Sequence, residues 1–393
     1  MRYTELYEVF MHSWQRLFAV HLKPELKELY LFSVLFSFAS ALILIFEPVF
    51  FYQQGKPPAT IALYYALHYT LYLFVLPFGG KFAARFGYER SLAISLPVFV
   101  LYFLSLAAMP TYPRLFWVAL LLLTTHKIFY WPAYHATFAR FGDVHNRGTE
   151  LSWMHVLKYG VGVAGPMIGG FIASQFGFPV LFVLVAATIL FSAVPLLLTE
   201  EHYRAMPFPY RAPWDIIRSR QHRGMVLTMA GMGENLIDMV FWPLWLFIIL
   251  GSVALLGAVA SFALGVMAAL GFFVGELADR YSRQKVLRLH LPFLVISHLF
   301  RPFAVTPARA LLTDTLSRMS FIGVTLPMTY RLYTQGIQAG VLQYIVAFEI
   351  VLCIAKATTA WLLIAVFSSF VPFTAFTLTF SLAALLALFY VFL

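Results

Sequence analysis

The chain has 393 residues, of which 61% are hydrophobic and only 11% are charged, and its mean hydropathy is +0.82. A soluble globular protein carries about twice that share of charged residues, so the composition excludes an ordinary soluble enzyme and indicates a membrane protein. The net charge of +10 is spread over several polar segments rather than gathered in one basic stretch. We therefore expect no nucleic-acid partner.

The first 27 residues predict an amphipathic helix on the cytoplasmic side of the membrane. Tyr3, Leu6, Phe10 and Trp14 fall on one helical face, and no apolar core or cleavage site of a signal peptide follows them. This helix either lies on the inner leaflet or packs against the cytoplasmic face of the protein.

Twelve apolar segments of about 20 residues follow, which is the length that a helix needs to cross a bilayer. They are 28–52, 58–79, 91–109, 115–138, 152–174, 178–198, 225–250, 252–275, 286–306, 308–332, 338–367 and 371–393. We number them spans 1 to 12. A polar linker at 199–224 separates a first half (28–198) from a second half (225–393). The predicted fold class is therefore an all-α membrane protein of twelve transmembrane helices.

The two halves repeat each other at an offset of 195 residues. Pro48, Gly80, Arg85 and Pro132 correspond to Pro243, Gly275, Arg280 and Pro327, with no net insertion. Internal repeats of this kind are typical of secondary transporters. The repeat predicts two pseudo-symmetric six-helix halves.

Lys and Arg are concentrated in alternate loops and near the N-terminus, whereas the other loops hold Lys56, Arg114 and, in our assignment, Arg301 and Arg309. The positive-inside rule then places both termini in the cytoplasm and the protein in the inner (plasma) membrane. The one cysteine, Cys353, lies in an apolar span, and the histidines lack metal-ligand spacing. We expect no disulfide, no metal and no cofactor.

Two loop motifs and one helix carry a family resemblance. Residues 275–285 (GELADRYSRQK) and 80–90 (GKFAARFGYER) resemble the cytoplasmic loop signature of the major facilitator superfamily, although Ala84 stands where that family has aspartate. Gly162, Gly165-Pro166 and Gly169 in span 5 resemble the helix 5 signature common among its exporters. The resemblance implies cytoplasmic gate loops formed by Gly80, Arg85, Gly275, Asp279 and Arg280. We expect the loop glycines to allow a turn with positive φ and the span 5 glycines to allow close helix packing.

Ionisable residues inside spans are costly and are candidates for function. The resembled fold lines its central cavity with helices 1, 4, 7 and 10, which assigns Glu47, Lys127, Glu234, Asp238, Asp314 and Arg318 to the substrate and proton path. Tyr130 and Tyr134 share a helical face with Lys127, and Trp242 extends the face of Glu234 and Asp238. Lys356 is added because the resembled fold places helix 11 beside helix 7. His68 and Glu349 are expected to pair across the halves, since helix 2 packs against helix 11 in that fold.

Each of these assignments has a structural alternative. Glu234 and Asp238 are spaced i, i+4, and one of them could exchange a proton while the other pairs with Lys356, or the pairing could be static. Lys127 could bind an anion or lose its proton, or it could pair with Glu47 or snorkel. Asp314 and Arg318 could simply neutralise each other. Glu47 could be a gate, a proton site or an interfacial group.

These observations predict a transporter, not an enzyme, that moves a small organic or amphipathic solute by alternating access. The helix 5 signature favours export by proton antiport. The alternatives are an importer or a lipid flippase of the same fold, and a non-transporting membrane sensor or scaffold. The expected partners are a small-molecule substrate, the proton and the lipid bilayer, and we expect a monomer.

Overall fold

The structure is a computed structural model that describes residues 24–141, 147–198, 203, 205–280 and 283–393. Side chains are described for 31–137, 160–195, 203, 205–269 and 284–393, apart from positions 326 and 333. Within these ranges the regular structure is helical. Most of the predicted N-terminal amphipathic helix and part of the linker lie outside the described residues.

The first seven helices follow the predicted spans 1 to 6, with span 1 divided in two. They are α1 (Pro24–Ile43), α2 (Glu47–Gln53), α3 (Pro58–Phe86), α4 (Tyr88–Ala108), α5 (Leu115–Phe141), α6 (Arg147–Phe176) and α7 (Phe178–Leu198). A short helix, α8 (Ala212–Arg218), lies in the linker.

The remaining helices follow predicted spans 7 to 12, with span 7 divided into three pieces. They are α9 (Arg223–Ala230), α10 (Gly233–Leu236), α11 (Trp242–Leu250), α12 (Val253–Arg280), α13 (Arg283–Phe300), α14 (Pro307–Ala339), α15 (Val341–Ser369) and α16 (Pro372–Ala387). A π-helical turn, Ile237–Phe241, joins α10 to α11, and a 3₁₀ turn, Leu388–Phe392, follows α16.

In the described part of the chain, eight segments are long and apolar enough to cross a membrane. They are Leu31–Gln53, Pro58–Phe86, Tyr88–Ala108, Leu115–Thr137, Phe178–Pro195, Arg220–Leu250, Val341–Ser369 and Pro372–Phe392, and the shorter apolar helices Gly160–Phe176 and Val253–Ala269 accompany them. Helices α13 and α14 are not among them, and both carry several ionisable side chains, of which Lys285 and Arg288 on α13 are exposed and Asp314 on α14 is buried. The count of twelve spans therefore stays a prediction.

Paired prolines of the repeat occupy equivalent places. Pro48 stands at the start of α2 and Pro243 at the start of α11, in both cases just after an interruption of the longer segment. Proline suits the first turn of a helix because its missing N–H would have no partner there. Pro132 and Pro327 both lie inside long helices, α5 and α14.

The packing of the helices follows the same correspondence. α3 packs on α5, and α4 on α5 and α7, while their counterparts at +195, α12 and α13, pack in the same way on α14 and α16. The two extensive contacts between these groups join α3 to α15 and α6 to α12. Since the offset exchanges α3 with α12 and α6 with α15, the two contacts are equivalent to each other.

The linker lies across one end of the α3–α15 contact. Met206 N–H donates to Ala84 O (2.9 Å) on α3, and Gln343 Nε2 on α15 donates to Pro207 O (3.2 Å). Between them, the ring of Phe208 is buried against Gly80, where a Cβ would lie 2.9 Å from Phe208 Cζ. The linker thus contacts both helices at once.

This packing corrects the expected role of Gly80. Gly80 lies inside α3 rather than at its end, and the positive φ (108°) belongs to Gly87, which separates α3 from α4. Gly80 is required for close approach, because a Cβ there would also lie 2.8 Å from Val346 Cγ2. Arg85 is exposed near the end of α3 and lies over the Phe86 ring.

Candidate functional site

Partly exposed ionisable side chains lie well inside the long helices. The side chains of His135 on α5, Asp238 in the π-helical turn and Arg318 on α14 are 17%, 28% and 23% exposed, and Lys127 on α5 is also partly exposed. Charged groups on lipid-facing surfaces would be strongly disfavoured. These side chains therefore mark a polar path between the helices, in the predicted spans 4, 7 and 10.

One ion pair of this path contains an arginine, Arg301, that our sequence analysis assigned to a loop. Arg301 is fully buried, and its Nη2 donates to Asp238 Oδ1 and to Ser317 Oγ (2.8 Å). Its guanidinium also lies over the ring of Trp242, 4.6 Å from the centroid. The sequence already indicated this role, because residue 301 falls inside predicted span 9 and should have been counted among the charged residues within spans.

Asp314 and Arg318 form the i, i+4 pair that was one of the two sequence interpretations. Arg318 Nε donates to Asp314 Oδ2 (2.9 Å), and Trp242 Nε1 donates to Asp314 Oδ1 (2.9 Å). Trp242 therefore joins this pair to Arg301. The result is one connected network from Asp238 to Arg318.

Glu234 belongs to a separate, fully buried group. Tyr390 Oη donates to Glu234 Oε2 (2.8 Å), and His298 Nε2 lies 2.9 Å from Glu234 Oε1. Both His298 and Glu234 are buried. A carboxylate, an imidazole and a phenol in contact form a chain of groups that can hold a proton at more than one atom.

The predicted contact of Lys356 with Glu234 and Asp238 is absent from the described structure. Lys356 Nζ instead donates to Asn235 Oδ1 (2.9 Å), and the two acids bind His298 and Arg301. The prediction assumed one α-helical register over this segment, whereas the π-helical turn that begins at Ile237 changes it.

Lys127 meets Tyr69 rather than the tyrosines of its own helix. Lys127 Nζ lies 3.4 Å from Tyr69 Oη and 4.8 Å from the Tyr69 ring centroid. Tyr130 and Tyr134 stack on each other with centroids 5.1 Å apart, and Tyr130 also stacks on Phe36. Tyr130 and Tyr134 therefore share one face of α5, as predicted, but Tyr130 is buried in the hydrophobic core.

His68 and Glu349 do not contact each other in this conformation. His68 Nδ1 lies 2.9 Å from Thr124 Oγ1, whereas Glu349 Oε1 lies 3.9 Å from His135 Nε2 and Glu349 Oε2 accepts a 3.4 Å hydrogen bond from Tyr72. The helices do pack as expected, α3 against α15. A direct pair between His68 and Glu349 stays a prediction for another conformation.

Glu47 stands at the break between α1 and α2 and accepts a 2.7 Å hydrogen bond from Tyr65 Oη. Its carboxylate is partly buried, and it is not within ion-pair distance of Lys127 in the described structure.

The span 5 glycines divide into two kinds. A Cβ at Gly165 or Gly169 would lie 2.4 Å from Ala41 Cβ or 2.0 Å from Leu42 O, so both positions pack directly on α1. Pro166 contributes through its carbonyl oxygen, 2.3 Å from a Cβ built at Gly257 on α12. A Cβ built at Gly162 meets no described atom within 4 Å, so the packing role expected there stays a prediction.

The side chains of Asp279 and Arg280 and the surroundings of Gly275 lie outside the residues whose side chains are described. The gate-loop assignment of these three residues stays a prediction.

Comparison with known proteins agrees with this architecture. A family model of the Major Facilitator Superfamily matches residues 29–347. The chain belongs to this superfamily. It is therefore a multi-pass membrane protein of a transporter family.

A solved structure shows the same fold. A crystal structure of a variant of the E. coli fucose:proton symporter matches with a TM-score of 0.61, and the match covers 93% of this chain and 98% of that chain. The sequence identity is 16%, so the likeness concerns the fold alone. No curated protein sequence matches the chain significantly.

Proposed function

We propose that this protein is a secondary active transporter that moves a small organic or amphipathic solute by alternating access and couples this movement to protons. The observation that carries the proposal is the set of partly exposed ionisable side chains deep in the helices, on α5, α14 and the broken segment 223–250. Such groups are retained inside a membrane where they bind solutes or ions.

Alternating access requires two bodies that move relative to each other. We propose that twelve spans form two six-helix halves, 28–198 and 225–393. The matching packing of helices that are 195 residues apart supports this division. The reciprocal contacts of α3 with α15 and of α6 with α12 would then be the surfaces on which the halves rock.

For coupling we propose Glu234 as the proton acceptor, with His298 and Tyr390 as its partners, and Asp238 as the second acid. Glu234 lies between two groups that can also carry a proton. Asp238 is held by the permanently charged Arg301. Loss of the Glu234 carboxylate should therefore abolish coupling, whereas loss of the Asp238 carboxylate should chiefly disturb the structure.

The direction of transport has two candidates. The glycines of α6 resemble the pattern common among exporters, which favours proton antiport. The fold likeness to a symporter favours coupled uptake instead. We propose antiport, and the sign of proton movement decides between the two.

The test uses the full chain in proteoliposomes that contain a pH-sensitive dye and a panel of labelled metabolites and drugs. We expect solute flux that an imposed pH gradient accelerates and that Glu234→Gln abolishes. The matched control is Asp215→Asn, which removes an exposed carboxylate in the linker helix α8.

The direction of proton movement distinguishes the two modes of transport. In antiport, protons leave the compartment that the solute enters, whereas in symport protons enter that compartment together with the solute. Absence of solute flux across the panel would favour a non-transporting sensor, and flux with wild-type pH dependence in Glu234→Gln would reject this residue as the coupling site.

A further inference from the structure

Two lysines from distant parts of the chain approach the same aromatic ring. Lys127 Nζ on α5 lies 4.8 Å from the centroid of Tyr69 on α3, and Lys356 Nζ on α15 lies 5.3 Å from it. The two ammonium groups are therefore at most about 10 Å apart. Lys356 lies halfway along a 29-residue helix, so the pair is deep inside the membrane-spanning region.

Neither lysine has an anionic partner among the described residues. The printed hydrogen bonds of these amines go to neutral oxygens, from Lys127 to Tyr69 Oη (3.4 Å) and from Lys356 to Asn235 Oδ1 (2.9 Å). An ammonium has three donors, so both groups keep donors to spare. Two like charges close together in a low-dielectric interior are costly without a counter-charge.

The nearby carboxylates, Glu349 and Glu47, interact with these lysines electrostatically, Glu349 with both and Glu47 with Lys127, but neither forms a direct ion pair with them. Glu349 contacts Tyr72 and His135, and Glu47 accepts its hydrogen bond from Tyr65. Within the described structure, no carboxylate oxygen lies within 4.0 Å of Lys127 Nζ or Lys356 Nζ.

His68 also lies beside Tyr69 but supplies no donor for an anion. It is fully buried, its ring lies 4.8 Å from the Tyr69 ring, and its Nδ1 lies 2.9 Å from Thr124 Oγ1. Because Thr124 Oγ1 donates to Leu120 O, it accepts from His68 Nδ1–H, and the unpartnered Nε2 of the neutral ring is an acceptor. The donors available to an anion around Tyr69 are therefore those of the two lysines.

We infer that Lys127 and Lys356 form an anion subsite, and that the solute is an organic anion whose carboxylate or similar group binds between them. Tyr69 would contact the carbon skeleton beside the anionic group. This inference rests on the proposed function, because it names the substrate class of the same path. A cationic solute is disfavoured at this subsite by like-charge repulsion, and a neutral solute would leave both amines without a direct ion-pair partner among the described residues.

The test measures the melting temperature of the full chain in detergent with a panel of monocarboxylates, dicarboxylates, sulfonates and phosphate monoesters. Each anion is compared with a neutral counterpart, such as benzoate with methyl benzoate. We expect at least one anion to raise the melting temperature in proportion to its concentration, whereas its neutral counterpart does not. Lys127→Gln and Lys356→Gln should each weaken the apparent affinity for this anion at least tenfold. Lys127→Arg keeps the positive charge and should bind the anion more tightly than Lys127→Gln does.

The matched control is Lys56→Gln, since Lys56 also lies over an aromatic ring, that of Phe116, but outside this cluster. This variant should bind the anion as the wild type does. Stabilisation by neutral counterparts alone, by no anion of the panel, or by anions equally in both lysine variants would overturn the inference. Proton-coupled flux of a neutral or cationic solute would also overturn it while upholding the proposed function, so the two failures are distinguishable.

Discussion

Removal of the buried guanidinium of Arg301 should strongly destabilise the protein. In Arg301→Gln, Asp238 loses its cationic partner and Ser317 loses a hydrogen-bond donor. Loss of one member of a buried ion pair costs about 3–5 kcal/mol. A cation over an aromatic ring, here that of Trp242, adds about 0.5–2 kcal/mol.

Partial exposure reduces this sum. The side chain of Asp238 is 28% exposed, so water can stabilise part of the charge that the substitution leaves behind. We therefore expect the free energy of unfolding to fall by about 3–4 kcal/mol. Arg309→Gln is the comparison, and it should leave the free energy of unfolding nearly unchanged, because Arg309 is exposed and has no ion-pair partner among the described residues.

The assay is unfolding of the full chain in mixed micelles by titration with sodium dodecyl sulfate, followed by tryptophan fluorescence. The double variant Arg301→Met with Asp238→Leu should recover much of the loss, because apolar replacement of a whole buried pair is often neutral. The reasoning is refuted if Arg301→Gln is as stable as Arg309→Gln, or if the double variant is less stable than Arg301→Gln.

Three further outcomes can be checked with the same material. Gly169→Ala should lower the free energy of unfolding by about 1–3 kcal/mol, because its Cβ would meet the backbone of α1. Gly162→Ala meets no described atom and should not lower it; equal losses would contradict the assigned packing. Tyr390→Phe should cost about 1.5–3 kcal/mol through the lost hydrogen bond to Glu234, measured in the same titration, and a neutral effect would remove Tyr390 from that group. Cys353 is fully buried, so maleimide labelling read by mass spectrometry should stay at background in the folded protein and reach completion in detergent-denatured protein; rapid labelling of the folded protein would contradict its burial.

The sequence predicted the fold better than the side-chain partners. Apolar length and the 195-residue repeat are properties of whole segments, so the order and approximate extent of the helices followed from them, although spans 1 and 7 are broken near Pro48 and Pro243. The pairing of Glu234 and Asp238 with Lys356 did not, because it depends on helical register within one turn. The π-helical turn at Ile237–Phe241 has no clear sequence signal, and it changes the register of Asp238 relative to Glu234; the two acids contact Arg301 and His298.

Long-range contacts explain the other differences. Lys127 was expected beside Tyr130 and Tyr134 on its own helix, but it turns to Tyr69 on α3, a neighbour that spacing along the chain does not reveal. Gly80 was interpreted through its motif as a turn residue, whereas its small size serves the approach of Val346 and Phe208 from distant segments. Such roles become visible only when the helices are placed together.

The position of Phe208 has an energetic consequence for the equilibrium between conformations. Its ring is 8% exposed and fills the space between α3 and α15, so separation of these two helix ends would return the ring to water. Exposure of a buried phenylalanine costs about 1.5–3 kcal/mol. That cost corresponds to a roughly 10- to 100-fold lower population of the conformation with separated ends. The residues that join the halves would thus set the resting occupancy of the two access states, and a smaller side chain at position 208 would shift that occupancy without touching the solute path.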